Sequence, residues 1–91
     1  MKFYKRLFHP KILAYFLAID EKRYNYNSMI CKKADIISAN GNNIRNILEG
    51  AKVIRTEKKK GKRIRYVLLT KRGNSVNEHL LKIKEVLNNG R

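Results

Sequence analysis

Two runs of alternating character, Lys52–Glu57 and Arg63–Leu69, are separated by Lys58-Lys59-Lys60-Gly61-Lys62. Short runs rich in Val, Ile, Thr and Tyr read as strands, and a glycine between them supplies the positive φ that a hairpin turn most needs. Just upstream, Asn40–Glu49 carries Ile44, Ile47 and Leu48 at a spacing that puts all three on one helical face. Turned away from that face are Asn42, Asn46 and Glu49, flanked by Asn43 and Arg45. A short helix with an amide-rich outer face, followed at once by a hairpin with a lysine tip, leaves few folds open. The remaining residues have to supply one small core on which both can be mounted.

The flanking segments read as that support. Pro10 suits the first turn of a helix, where its missing N–H is harmless. Beyond it Ile12, Leu13, Phe16, Leu17 and Ile19 form an apolar stripe broad enough to be covered on two sides. Met1–Phe8, with Phe3, Tyr4, Leu7 and Phe8, is expected to extend this helix or to lie as an arm on a partner subunit. Tyr24-Asn25-Tyr26-Asn27 alternates aromatic and polar residues, as a very short strand does. A second helix is expected over Ser28–Ala34, capped by Asn27 or Ser28, with Met29, Ile30, Cys31 and Ala34 inward. Asp35–Ala39 connects it to the amide-rich helix, which Ser38 or Asn40 would cap and which Gly50 would end in a left-handed conformation. In the hairpin, Val53 and Arg55 are expected on one face and Ile54 and Thr56 on the other. Ser75-Val76-Asn77-Glu78 matches a capping box, which starts a last helix over about 75–88. That helix repeats Val76, Leu80, Ile83 and Leu87 along one stripe, widened by Leu81 and Val86.

Composition narrows what the chain can do. Lysine and arginine outnumber aspartate and glutamate 22 to 7, for a net charge of +15. Residues 51–73 hold ten of the basic residues against the single Glu57, so the excess is concentrated on the hairpin. A cationic cluster of that kind is the electrostatic footprint of a polyanion binder, set against the plainer reading of a solvated basic surface. Cys31 is the one cysteine, so no intrachain disulfide forms and a reducing, cytoplasmic setting is the simplest context. One Cys with the distant His9 and His79 builds no metal site. The basic start and the apolar run Ile12–Ile19 resemble a signal peptide, but the run is too short to span a bilayer and no small-residue cleavage site follows. No phosphate-binding loop is present, and the carboxylates Asp20, Glu21, Asp35, Glu49, Glu57, Glu78 and Glu85 are scattered beside lysines. An enzyme is therefore not expected, and neither is a cofactor.

The expected order, helix, short strand, helix, turn, helix, strand, hairpin, strand, helix, is that of a winged helix-turn-helix. Over residues 10–87 the sequence resembles the small winged-helix transcription regulators, in particular the MarR-like compact forms common in archaea and their viruses. The resemblance rests on Asn43-Ile44-Arg45-Asn46-Ile47-Leu48-Glu49 for the second-motif helix and on Val53-Ile54-Arg55 with Arg63-Ile64-Arg65-Tyr66 for the wing strands. Its third element is Tyr66-Val67-Leu68-Leu69-Thr70-Lys71-Arg72-Gly73, an aromatic followed by Leu-Thr-x-x-Gly at the strand exit. The chain departs from the family in lacking a glycine in the turn Asp35–Ala39 and in placing Gly41 inside or at the start of the reading helix, where it costs about 0.5–1 kcal/mol relative to alanine. Gly41 can permit close approach to a phosphate or a neighbouring helix, or mark a helix that starts later.

The resemblance implies an α+β, mostly α fold as a single domain over 1–91, with a two-stranded wing and a C-terminal dimerisation helix. It also implies a homodimer acting on double-stranded DNA. Asn42, Asn43, Arg45 and Asn46 become the candidate base-reading residues, since Asn can pair with adenine N6 and N7 and Arg with guanine O6 and N7; contact of this helix with phosphates alone is the alternative. Lys58, Lys59, Lys60, Lys62 and Arg63 are candidates for the backbone or the minor groove, because a lysine on a turn is a point charge that specifies little. Leu13, Leu17, Val76, Leu80, Ile83 and Leu87 are the candidate dimer interface, with the last helix also able to serve as plain core. A sequence-independent architectural DNA-binding protein is the competing reading, and an RNA-binding module a third. Tyr24, Tyr26 and Tyr66 look like packing residues rather than a stacking platform for bases.

Overall fold

The computed structural model describes residues 6–20, 25–58 and 65–89. Pro10 opens helix α1 (Pro10–Leu17), as its sequence position predicts, and the Lys11 N–H donates to His9 Nδ1 at 3.3 Å. Strand β1 (Asn25–Tyr26) leads directly into α2 (Asn27–Ala34), a tight turn, and α3 (Ser38–Gly50). Strands β2 (Ile54–Lys58) and β3 (Arg65–Leu69) form the hairpin, and α4 (Lys71–Asn89) ends the chain. The sheet order is β1-β3-β2, antiparallel throughout, so the short aromatic strand adds a third member to the expected hairpin. The first strand, read from sequence as Lys52–Glu57, is displaced toward the turn, and the second, read as Arg63–Leu69, is strand over its described part, Arg65–Leu69. The lysine tip, including Lys59, Lys60, Lys62 and Arg63, lies outside the described residues.

The core forms where α1, α2, α3 and the inner face of the sheet meet. Tyr15 and Phe16 of α1, Ile30 and Cys31 of α2, Ile44 and Leu48 of α3, and Val53, Ile54 and Val67 of the hairpin are all buried. Burial of one such side chain contributes about 1.5–3 kcal/mol relative to exposure. Two expectations for this core need correcting. Met29 is exposed rather than inward, because α2 turns Ile30 and Cys31 to the core and Met29 sits about 100° from Ile30 and about 160° from Cys31. Tyr15 joins the core in place of Leu17, which is exposed, since the buried arc of α1 runs through Ile12, Tyr15, Phe16 and Ile19.

The helix ends are closed by devices that the local sequence disguises. The Ile36 N–H donates to the Cys31 carbonyl and that of Asp35 to Lys32; likewise Val53 donates to Leu48 and Lys52 to Glu49. These are paired closures of the Schellman type, with a left-handed residue at the turn and an apolar contact locking it. The left-handed residues are Asp35 (φ 57°) and Lys52 (φ 64°), not Gly50, which is the last residue of α3. The apolar partners, Cys31 with Ile36 and Leu48 with Val53, are buried. Asp35 explains how the connection between α2 and α3 does without a glycine, since Asp tolerates this region better than most residues. Val53 is buried as part of this closure and not as a strand residue, so the strand alternation expected for it with Arg55 does not apply.

The expected helix caps also move. Tyr26 and Ile37 occupy the positions ahead of α2 and α3, and neither offers a capping side chain. Asn27, expected to cap, is the first residue of α2 and its amide is used elsewhere. The C-terminal helix starts at Lys71 rather than near 75, with Thr70 as its cap: the Gly73 N–H donates to Thr70 Oγ1 at 3.0 Å and that of Asn74 to the Thr70 carbonyl at 2.8 Å. Ser75 is exposed within the helix, so the capping-box pattern is a coincidence of composition. Thr70 Oγ1 also donates to the Lys52 carbonyl at 2.6 Å, and the Thr70 N–H to that of Val53 at 3.1 Å. A Cβ on Gly73 would fall on the Val53 carbonyl oxygen. The Leu-Thr-x-x-Gly pattern therefore has a physical reading: it seats the start of α4 directly on the entry to the hairpin.

Candidate nucleic-acid interface

Helix α3 is held by Ile44 and Leu48, both buried, with Gly41 buried beside them. At 100° per residue this leaves an outward arc through Ser38, Ala39, Asn42, Asn43 and Asn46, all exposed. Three of the four candidate base-reading residues, Asn42, Asn43 and Asn46, therefore share one solvent-facing surface. Arg45 stands on the flank facing α2 and is half-buried. Its charge is close enough to oppose the upward pKa shifts that burial imposes on the Tyr15 phenol and the Cys31 thiol. Glu49, expected outward, is half-buried and accepts from Thr56 Oγ1 at 3.1 Å, tying the end of α3 to β2.

Ser38 and Ala39 were not legible as part of this surface, because the helix was expected to start at Asn40. Their signal lies in the Asp35 turn: once Asp35 is left-handed and Ile36 is buried, the chain can resume helix at Ser38. Gly41, inside the helix, answers the question its position raises. A Cβ there would collide with Cys31 Sγ and come within 3.5 Å of the Asn27 amide, so the glycine permits close approach of α2 to α3.

Cationic side chains are exposed on the elements around α3. Lys32 and Lys33 are exposed on α2, Lys52 and Lys58 at either end of the first wing strand, and Lys71 and Arg72 at the start of α4. On the wing, Arg55 pairs with Glu57 at 2.7 Å, both well exposed. Such a pair contributes about 0–1 kcal/mol but lowers the local positive field. On the other flank a groove of about 410 Å³ separates α3 from the start of α1, lined by His9, Lys11, Ile12, Asn40, Asn43 and Ile44. Among the described residues no group of three or more His, Cys, Asp or Glu can hold a metal ion, and no helix is long and apolar enough to cross a membrane.

The candidate interface residues divide by position along α4 and α1. Val76 and Leu80 are partly buried against the chain's own core, as is Leu69 beneath them. Ile83 and Leu87 continue the same stripe but are 51% and 74% exposed, with Leu81 and Val86 exposed beside them. On α1, Leu13 is half-buried, while Leu17 and the preceding Phe8 are exposed.

No protein-family model and no curated protein matches the sequence. Solved structures do match in three dimensions. AF1382 from Archaeoglobus fulgidus superposes with a TM-score of 0.81 at 22% identity, over 93% of this chain and 96% of that one. The transcriptional regulator SlyA gives 0.81 at 17% identity, over 97% of this chain but 63% of its own length. A mutant of Staphylococcus aureus MepR bound to an oligodeoxyribonucleotide gives 0.76 at 16% identity, over 96% and 66%. The chain thus spans about two thirds of the latter two proteins. The fold these structures share with the chain is the winged helix-turn-helix that the sequence order predicts.

Proposed function

We propose that this chain is a sequence-specific regulator of transcription that binds double-stranded DNA as a homodimer. The observation that carries the reading is the exposed amide surface of α3, Asn42, Asn43 and Asn46, standing beside a hairpin whose turn is almost entirely lysine. A helix of this size fits the major groove, where each base pair presents a distinct set of donors and acceptors, and amide side chains can meet both. Lys58, Lys59, Lys60, Lys62 and Arg63 then serve the phosphate backbone or the minor groove, which supplies affinity and orientation rather than sequence information. The structural neighbours support the same direction, since SlyA is a transcriptional regulator and a MepR mutant binds an oligodeoxyribonucleotide.

Dimerisation follows from α4. Its stripe is used twice: Val76 and Leu80 cover the chain's own core, while Ile83 and Leu87, together with Leu17 and Leu13 of α1, cover a second copy. An exposed apolar stripe of this kind is costly to leave in water, and a two-fold pair of reading helices would meet half-sites about 34–36 Å apart. Selection from a random duplex pool tests the whole reading. Enrichment of an inverted repeat is the expected outcome. Tight binding with no enriched sequence would favour the architectural alternative, and absence of duplex binding would overturn both.

A further inference from the structure

Asn42, an amide on the α3 surface, is also held by another described residue of the domain. The Tyr15 hydroxyl donates to Asn27 Oδ1 at 2.7 Å, and Asn27 Nδ2 donates to Asn42 Oδ1 at 3.2 Å. Tyr15 is fully buried, Asn27 half-buried and Asn42 exposed, so the chain of hydrogen bonds runs from the core to the outer surface. Gly41 makes the arrangement possible, because only a residue without a Cβ lets α2 approach α3 closely enough for the first residue of one helix to reach the second turn of the other. Asn27 does not cap its own helix; both ends of its amide take part in this link.

We infer that Asn27, set by Tyr15, is a positioning residue that decides which end of the Asn42 amide faces the base edges. With Oδ1 turned to Asn27, Asn42 presents Nδ2 outward as a donor. A donor finds acceptors at guanine N7 and O6, at thymine O4 and, singly beside a competing N6 donor, at adenine N7, but none on the major-groove edge of cytosine. Asn42 therefore reads its position as a hydrogen-bond donor, in contrast to the two-point pairing with adenine that an unrestrained asparagine can make. Holding the amide in place before binding also removes part of the ordering cost that a mobile side chain carries.

The inference rests on α3 reading the major groove, and the experiment separates the two. Base preferences are measured by competition among duplexes for the wild type, Asn42→Ala, Asn27→Asp and Tyr15→Phe, each checked for wild-type helicity by circular dichroism. Asn42→Ala identifies the base pair that residue 42 faces, by loss of preference at that position alone; if no position loses preference, the base-reading premise and this inference fall together. At that position the wild type is expected to favour guanine or thymine over cytosine by roughly five- to tenfold, the lower range for one good base contact. Asn27→Asp keeps the shape but offers only acceptors, so the Asn42 amide turns over, Oδ1 faces outward, and the preference moves to cytosine or adenine. Tyr15→Phe retains the packing and removes only the donor to Asn27, so the guanine or thymine preference weakens about two- to threefold without inverting, a fraction of the same contact. If Asn27→Asp and Tyr15→Phe lower affinity equally for all duplexes while Asn42→Ala abolishes a preference, Asn27 is merely structural and the inference is overturned. Should Asn27→Asp fail to fold, an unchanged preference in Tyr15→Phe overturns it equally.

Discussion

Replacing Gly73 with alanine puts a methyl group on the carbonyl oxygen of Val53 and within 2.9 Å of its carbonyl carbon. Both are backbone atoms, so relief requires the start of α4 to move away from the hairpin. Three hydrogen bonds cross or brace that junction: Thr70 N–H to Val53 at 3.1 Å, Thr70 Oγ1 to Lys52 at 2.6 Å, and Gly73 N–H to Thr70 Oγ1 at 3.0 Å. Loss of a threonine cap costs about 1 kcal/mol, and each further hydrogen bond about 0.5–1.5 kcal/mol. Overpacking against a fixed neighbour adds about 1–3 kcal/mol. Alanine recovers about 0.5–1 kcal/mol through its better helix propensity. The net expectation is a loss of about 2–4 kcal/mol, or a fall in Tm of at least ~10 °C for a domain of this size. Gly50→Ala is the control: it also lies in a helix, but a Cβ there meets nothing within 4 Å. That variant is expected to gain about 0.5 kcal/mol from propensity alone. Thermal and urea unfolding at one fixed protein concentration, needed because the stability of the proposed dimer depends on it, compare the three proteins. If Gly73→Ala costs less than about 1 kcal/mol, or if Gly50→Ala costs as much, the seating of α4 on the Val53 carbonyl is not what holds this junction.

Other outcomes follow from the same geometry. Substituting Lys58, Lys59 and Lys60 together with alanine is expected to weaken binding to all duplexes alike and to flatten the log–log salt dependence by up to about 2.7, at 0.9 per phosphate contact; an unchanged slope in a titration would remove the wing from the backbone. Ile83→Asp combined with Leu87→Asp leaves Val76 and Leu80 on the core, so light scattering at micromolar concentration should show a folded monomer for the variant and a dimer for the wild type; a monomeric wild type refutes the proposed interface. Burial raises the Tyr15 phenol well above its ordinary pKa of 10.0, so the neutral form belongs to the folded state. Its contribution is fully present below pH 10 and declines above it, by about 1.4 kcal/mol per pH unit until the folded-state pKa is reached. Denaturant midpoints of Tyr15→Phe should accordingly fall less steeply than wild type above pH 10, and parallel curves would contradict this.

Patterns of two and 3.6 residues carried most of the fold. The apolar positions of α3, the paired strands, the cationic hairpin and the stripe of α4 were all legible in the sequence, because each is a local periodicity that any compact solution has to bury on one side. The amide surface of the candidate site was legible for the same reason, as the complement of Ile44 and Leu48. What the sequence misplaced were the ends. Ser75–Glu78 has the letters of a capping box, yet Thr70 caps α4, because the Val53 and Lys52 carbonyls come from a distant segment and choose it. Gly50 has the letter of a helix stop, yet Lys52 takes the left-handed turn, because Val53 must reach Leu48 to complete the core. Asn27 looked like a cap and is instead a link between Tyr15 and Asn42. Of the readings open for Gly41, close approach to a phosphate, close approach to a neighbouring helix or a later helix start, packing selects the neighbouring helix. Periodicity is set along the chain and can be read there. Which of several eligible side chains a carbonyl, an amide or a bare Cα receives depends on a partner brought close only by packing, and the tertiary structure alone decided it.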